Sequence, residues 1–135
     1  KDGVRFYNDS IASSPSRTIA GLRSFHQKVI LIAGGYDKHI PYDVLGPEIC
    51  RHVKRLIVTG ATGEAIRQAV LAAPEYRENQ PEILSIAEFD QAVQQAAEGA
   101  EPGDVVLLSP ASAAFDKFRN FMVRGQHFKD LVRSL

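Results

Sequence analysis

The 135 residues carry sixteen basic and sixteen acidic side chains and are 44% hydrophobic. That is enough for one domain with one core, without disulfides or metal. The balanced charge lacks the basic excess of a nucleic-acid surface or a polybasic membrane anchor. The single cysteine, Cys50, cannot form an internal disulfide, and no Cys/His cluster has zinc-site spacing. The longest strongly apolar runs, Val29 to Ala33 and Val105 to Leu108, are too short to cross a bilayer. A soluble cytoplasmic protein is expected, with no membrane insertion, nucleic-acid partner or bound metal. The opening Lys1-Asp2-Gly3-Val4 has neither a secretory signal nor an initiator methionine, so residues 1–135 read as a single domain cut from a longer chain.

Val4-Arg5-Phe6-Tyr7 is rich in strand formers and ends at Asn8-Asp9-Ser10, where polar groups favour a turn. Ser13 or Ser14 can cap a helix and Pro15 suits its first turn, after which Ile19, Leu22 and Phe25 recur at helical spacing up to about His26. Val29 to Ala33, apolar throughout and closed by Gly34-Gly35, fits a strand buried on both faces in the middle of a parallel sheet. After a loop from Tyr36 to Pro41, a helix over about Tyr42 to His52 would turn Val44, Leu45 and Ile49 inward, although Gly46 and Pro47 weaken it. Arg55 to Val58 runs into Gly60 as a third strand, followed by Ala65, Ile66, Ala69 and Val70 on one helical face. Glu82 to Ala87 makes the fourth strand, with Phe89, Ala92, Val93, Ala96 and Ala97 as the next stripe. Val105 to Leu108 makes the fifth, leading through Ser109-Pro110 to a last helical region interrupted near Gly125.

Five strands alternating with five helical segments predict right-handed βαβ units. The expected fold is α/β and Rossmann-like: a mostly parallel sheet of about five or six strands with helices on both faces. Such sheets bind ligands beyond the carboxyl ends of their strands, which directs attention to loops 8–14, 34–41, 59–63 and 109–116. In the first, Asn8, Asp9, Ser10, Ser13 and Ser14 gather more polar groups than capping needs, and Asp9 could take a ribose hydroxyl or a cation. Gly34-Gly35-Tyr36-Asp37-Lys38 lets the backbone approach a ligand and then supplies a lysine for a carboxylate or phosphate; the plainer reading is a glycine turn with a solvated lysine.

Thr59-Gly60-Ala61-Thr62-Gly63 reads as strand-end geometry plus a threonine cap. The small residues from Ser109 to Ala114 would admit a carboxylate to backbone N–H groups at a helix N-terminus, while Phe115, Phe118 and Phe121 read as core. The absence of Gly-Lys-Ser/Thr and of Gly-x-Gly-x-x-Gly counts against a triphosphatase loop and a dinucleotide domain. His26, His39, His52 and His127 show no paired metal spacing, and only His39 lies in a loop of interest. No Ser/His/Asp or Cys/His set assembles. A stand-alone binding or regulatory module of this fold, without catalysis, stays open on these grounds.

Taken together, three stretches closely resemble one family. They are Phe6-Tyr7-Asn8-Asp9-Ser10-Ile11-Ala12-Ser13-Ser14-Pro15, then Gly34-Gly35-Tyr36-Asp37-Lys38, then Leu107-Leu108-Ser109-Pro110 through Phe115-Asp116-Lys117-Phe118-Arg119-Asn120-Phe121 to Arg124-Gly125. In this order, across almost the whole chain, they resemble the C-terminal domain of the Mur ligases, and the Asn-Asp-Ser opening resembles the branch that adds D-glutamate.

The resemblance implies a three-domain enzyme of peptidoglycan precursor synthesis. One domain binds the UDP sugar, a central one holds ATP and Mg2+, and the C-terminal one closes over them. ATP would phosphorylate the alanine carboxyl of UDP-N-acetylmuramoyl-L-alanine, and the amine of D-glutamate would attack the acyl phosphate. This domain alone would be inactive, and no catalytic residue is assigned within it. Carried over residue by residue, Asp9, flanked by Asn8 and Ser10, would edge the ATP site at the ribose. Lys38 would hold a D-glutamate carboxylate, with Ser13 in place of the more usual threonine, and Asn120, Phe121 and Phe115 would border the other carboxylate. Two positions depart from the pattern: Ile11 stands where lysine is common, and Ala114 where many members have serine. The contact of that missing hydroxyl would pass to backbone N–H groups or another residue.

Overall fold

A computed structural model describes residues 2–115 and 117–135; Lys1, the expected cut end, and Asp116 of the last motif lie outside the described residues. Strands and helices alternate as β1 (Arg5–Asn8), α1 (Pro15–Arg23), β2 (Val29–Ala33), α2 (Leu45–His52), β3 (Val53–Val58), α3 (Gly63–Ala72), β4 (Glu82–Ser85), α4 (Phe89–Glu98), β5 (Val105–Leu108) and α5 (Phe121–Arg133). The sheet order is β1-β5-β2-β3-β4 with every pair parallel, so β2 lies at the centre, as its apolar run predicts.

This order decides where the helices go. The steps β1 to β2, β2 to β3 and β3 to β4 all move the same way across the sheet, so right-handed crossovers place α1, α2 and α3 on one face. The step from β4 back to β5 reverses direction and sends α4 to the other face, where α5 packs against it. β2 serves both cores by alternation. Val29, Leu31 and Ala33 meet Leu22, Ile49, Ile66 and Val70 on the first face. Ile30 and Ile32 meet Phe89, Val93, Ala96 and Phe128 on the second. All five β2 side chains are buried, each Val, Leu or Ile contributing about 1.5–3 kcal/mol. Because β5 sends its chain to the second face while its neighbours β1 and β2 send theirs to the first, a crevice opens on each side of β5 at the carboxyl ends.

Beside small shifts at the end of α1 and the start of β3, three differences from the sequence reading have a packing reason. α2 begins at Leu45 rather than near Tyr42, and Pro47 sits in its first turn, where the missing N–H would have had no intrahelical partner. Gly46 is required by the packing of α2 on α3: a Cβ there would lie 2.2 Å from the Ala69 carbonyl oxygen. β4 ends at Ser85, although Ile86 N–H still donates to Val58 O at 2.9 Å and carries the pairing one residue further. The last helix is not interrupted at Gly125; α5 runs unbroken through it. Glycine is needed there because the end of β1 passes close by, and a Cβ would fall 2.7 Å from Asn8 Nδ2. Among the described residues no helix is long and apolar enough to cross a membrane.

Candidate functional site

The loop after β1 is built by its own polar side chains. Asn8 Oδ1 accepts the Ser10 N–H at 3.0 Å, closing the turn, and Asp9 N–H extends the ladder to Leu108 O at 2.7 Å. Ser10, buried, donates its hydroxyl to Phe121 O at 2.7 Å, which fastens this loop to the first residue of α5. Asn8 and Ser10 therefore have structural duties beside any ligand role. With Ile11, Phe121, Met122, Gln126 and Lys129 they line one hollow on the β1 side of β5. Ile11 is half exposed there.

Asp9 is half-buried and accepts the Ser109 hydroxyl at 2.8 Å, with Gly21 of α1 leaving it room. Burial pushes its carboxyl above the usual range, against the Ser109 hydroxyl and the Arg17 charge, which pull it down. The folded domain thus holds this proton more tightly than the unfolded chain, whose value is about 3.8. The stability Asp9 contributes is full below that value and is lost as pH rises through the folded one. Asp9→Asn, uncharged throughout, should therefore gain on the parent domain as pH is raised from about 4 to about 7. Thermal melts of both proteins across that range check this; a constant difference contradicts it.

Gly34 and Gly35 follow β2, but the closeness that requires glycine is to neighbouring loops. A Cβ on Gly34 would lie 1.9 Å from Thr59 O, and one on Gly35 2.6 Å from Ala113 O. Gly34 N–H donates to Pro110 O and Tyr36 N–H to Ala113 O, each at 2.8 Å, so the loops after β2 and β5 run bonded side by side. Lys38 follows, exposed and without an ion pair to a described residue, its Nζ 5.8 Å from the centroid of the Phe115 ring. Tyr36 packs edge-on against the same ring at 5.9 Å. His39 is a turn residue at φ +60°, its N–H bonded to Asp37 Oδ1 at 2.7 Å.

The loop after β5 carries Ala113 and Ala114, both buried, which wall a narrow cleft with Gly34, Gly35, Phe118 and Arg124. The N–H groups of Ala114 and Phe115 make no hydrogen bond to a described residue, whereas Ala114 O accepts from Lys117 and Phe118. These two N–H groups lie in the loop that runs bonded alongside the lysine arm. The three phenylalanines do not form one core: Phe118 packs against Phe89 at 5.3 Å, but Phe115 is 61% exposed and Phe121 36%. Both reach solvent because a loop, not a helix, carries Phe115, and Phe121 opens α5. Asn120 caps α5, its Oδ1 accepting Val123 N–H at 2.9 Å. Ser13 is half-buried, and its hydroxyl bonds no described residue.

The structure thus brings Lys38 together with Phe115, and Asn8 and Ser10 together with Phe121; between the two clusters stands a residue that sequence reasoning left out of the site. Arg124, 2% exposed in α5, donates from Nε to Ser10 Oγ at 2.9 Å, from Nη2 to Ser10 O at 2.7 Å and from Nη1 to Ser112 O at 2.9 Å. One guanidinium locks the loop after β1 to the loop after β5. The available signal was its spacing four residues before Phe128, which places an arginine on the apolar face of α5. Thr62 was also misjudged: its side chain makes no cap bond to α3 and instead accepts Gly35 N–H at 2.9 Å.

A parallel α/β sheet that sets a carboxylate, a lysine and two backbone N–H groups without a bond to a described residue at its carboxyl edge has the architecture in which ligand sites lie beyond the strand ends. The chain belongs to the family of the Mur ligase, glutamate ligase domain, whose model matches residues 1–112. It is 53% identical over 136 residues to the UDP-N-acetylmuramoylalanine--D-glutamate ligase of Acetivibrio thermocellus and 50% identical over 134 residues to that of Clostridium novyi. Each comparison covers 99% of this chain and 29% of the relative, so the chain spans under a third of the length of these curated relatives. Among solved structures it is similar to a murein peptide ligase from Psychrobacter arcticus (TM-score 0.60, 12% identity, 99% of this chain, 28% of the other). A domain of a UDP-N-acetylmuramate:L-alanyl-gamma-D-glutamyl-diaminopimelate ligase from Haemophilus ducreyi also aligns (TM-score 0.54, 15% identity, 96% and 93% covered). At these identities the two structures speak for the fold.

Proposed function

We propose that residues 1–135 are the amino-acid-binding domain of an ATP-dependent ligase that joins D-glutamate to UDP-N-acetylmuramoyl-L-alanine, and that this domain is inactive on its own. The observation that supports the reading is that Lys38 stands over the Phe115 ring, in a loop bonded to the one carrying the Ala114 and Phe115 N–H groups, neither of which bonds a described residue. A dicarboxylic amino acid needs a cation for one end and fixed donors for the other. Backbone N–H groups here take the place of the hydroxyl that Ala114 lacks. By the resemblance, Asn120 and Phe121 at the start of α5, and Ser13, would border the substrate from the neighbouring cluster, where Phe121 lines the hollow with Asn8 and Ser10.

Holding the substrate by both carboxylates leaves its amine as the free end. In the reaction the alanine carboxylate receives the terminal phosphoryl group of ATP, the amine attacks that acyl phosphate, and inorganic phosphate leaves as the amide forms. Fixing the amine's approach is how this domain raises the rate. Asp9 fits the ribose hydroxyls of the nucleotide, being half-buried at the mouth of a groove with Tyr7, Arg17 and Ser24. By the resemblance, the magnesium ion would be held by the central domain of the full-length ligase. The expected setting is the cytoplasm, where these nucleotide-linked substrates and ATP are available.

The test is a chimera. Residues 1–135 replace the corresponding segment of the Acetivibrio thermocellus ligase, and phosphate release from ATP is measured. Release that requires both UDP-N-acetylmuramoyl-L-alanine and D-glutamate, and that L-glutamate does not support, is expected. A folded chimera without D-glutamate-dependent release would instead favour a binding module without catalysis.

A further inference from the structure

Three hydroxyls outside the resemblance-derived site form a buried chain beneath the carboxyl ends of β2, β3 and β5. Tyr42 Oη lies 2.9 Å from Ser112 Oγ, Ser112 Oγ lies 2.7 Å from Thr62 Oγ1, and Thr62 Oγ1 accepts Gly35 N–H at 2.9 Å. Tyr42 is 4% exposed, and Thr62 and Ser112 are 1% exposed. We infer that Tyr42, Thr62 and Ser112 are positioning residues that set the distance between the lysine arm and the carboxylate-binding N–H groups.

The chain of bonds joins the two halves of the site. One end holds Gly35, three residues before Lys38 in an otherwise exposed arm. The middle member, Ser112, sits two residues before Ala114, and its carbonyl is already held by Arg124 at 2.9 Å. Apolar side chains of the same size would pack this space without the desolvation that three hydroxyls incur. Bonded to one another, the hydroxyls impose a direction and a spacing that apolar packing does not. The loop after β3, through Thr62, thereby acts on both loops. This inference rests on the reading of Lys38 as the carboxylate clamp.

The experiment is steady-state kinetics of the full-length ligase carrying Tyr42→Phe, Thr62→Val, Thr62→Ser or Lys38→Ala. Tyr42→Phe and Thr62→Val should raise KM for D-glutamate at least about fivefold, with kcat and KM for ATP within about twofold of the parent. Thr62→Ser keeps the Oγ acceptor and should match the parent. An unchanged KM for D-glutamate in folded Tyr42→Phe overturns the inference, and so does an equal rise in KM for both substrates. If Thr62→Val does not fold, Tyr42→Phe, which removes one oxygen and keeps the ring, decides. A raised KM in Lys38→Ala with none in the hydroxyl variants overturns the positioning role alone. No effect of Lys38→Ala overturns the clamp itself.

Discussion

Arg124→Met should destabilise the domain by about 3 kcal/mol, a loss of roughly 10 °C in melting temperature for a chain of this size. Methionine fills much of the same space but returns none of the three hydrogen bonds to Ser10 and Ser112. Two buried carbonyl oxygens lose their charged donor, each at a cost of about 1–3 kcal/mol. Ser10 keeps its own bond to Phe121 O, so part of the anchorage of the first loop survives. Arg124→Lys should fall between, because one ammonium cannot reproduce a planar fork aimed at two loops. Urea unfolding of the isolated domain measures this. A change below about 1 kcal/mol for Arg124→Met would show that the loops hold together without the guanidinium.

The second large effect falls on activity and leaves stability alone. Lys38→Ala in the full-length ligase should raise KM for D-glutamate roughly 10- to 100-fold, the range for losing a charged hydrogen bond to a ligand carboxylate. KM for ATP should move less than about twofold, because Asp9 and its neighbours lie on the other side of β5. The melting temperature should stay put, since Lys38 is exposed and forms no ion pair with a described residue. Lys38→Arg should recover part of the affinity through its retained charge. Equal losses for both substrates would remove Lys38 from the glutamate subsite.

What could be read from the sequence divides along a physical line. β2 was legible because five consecutive apolar residues have few options other than a strand covered on both faces. The order of elements then followed from local periodicity, and the candidate site was sought at the strand ends because of the architecture. Lys38, Asp9 and the loop after β5 were placed at the strand ends for that reason.

Arg124 was not legible as an organiser because its partners are 114 and 12 residues away in sequence. No local pattern reports such a bond. The glycines were legible as residues but not as reasons. Gly34 and Gly35 yield to Thr59 and Ala113, and Gly125 yields to Asn8, all contacts that exist only once the sheet is assembled. Local propensity suggested a break at Gly125, and tertiary packing overrode it. The phenylalanines misled in the opposite sense, since three-residue spacing promised a buried stripe over a segment where α5 has not yet begun.

The most direct measurement is a structure of the full-length ligase with D-glutamate, an unreactive ATP analogue and the UDP sugar bound. One glutamate carboxylate should lie about 3 Å from Lys38 Nζ and the other within reach of the Ala114 and Phe115 N–H groups, with the amine pointing away from this domain. D-glutamate bound without contact to Lys38 or to residues 113–115 would contradict the assignment.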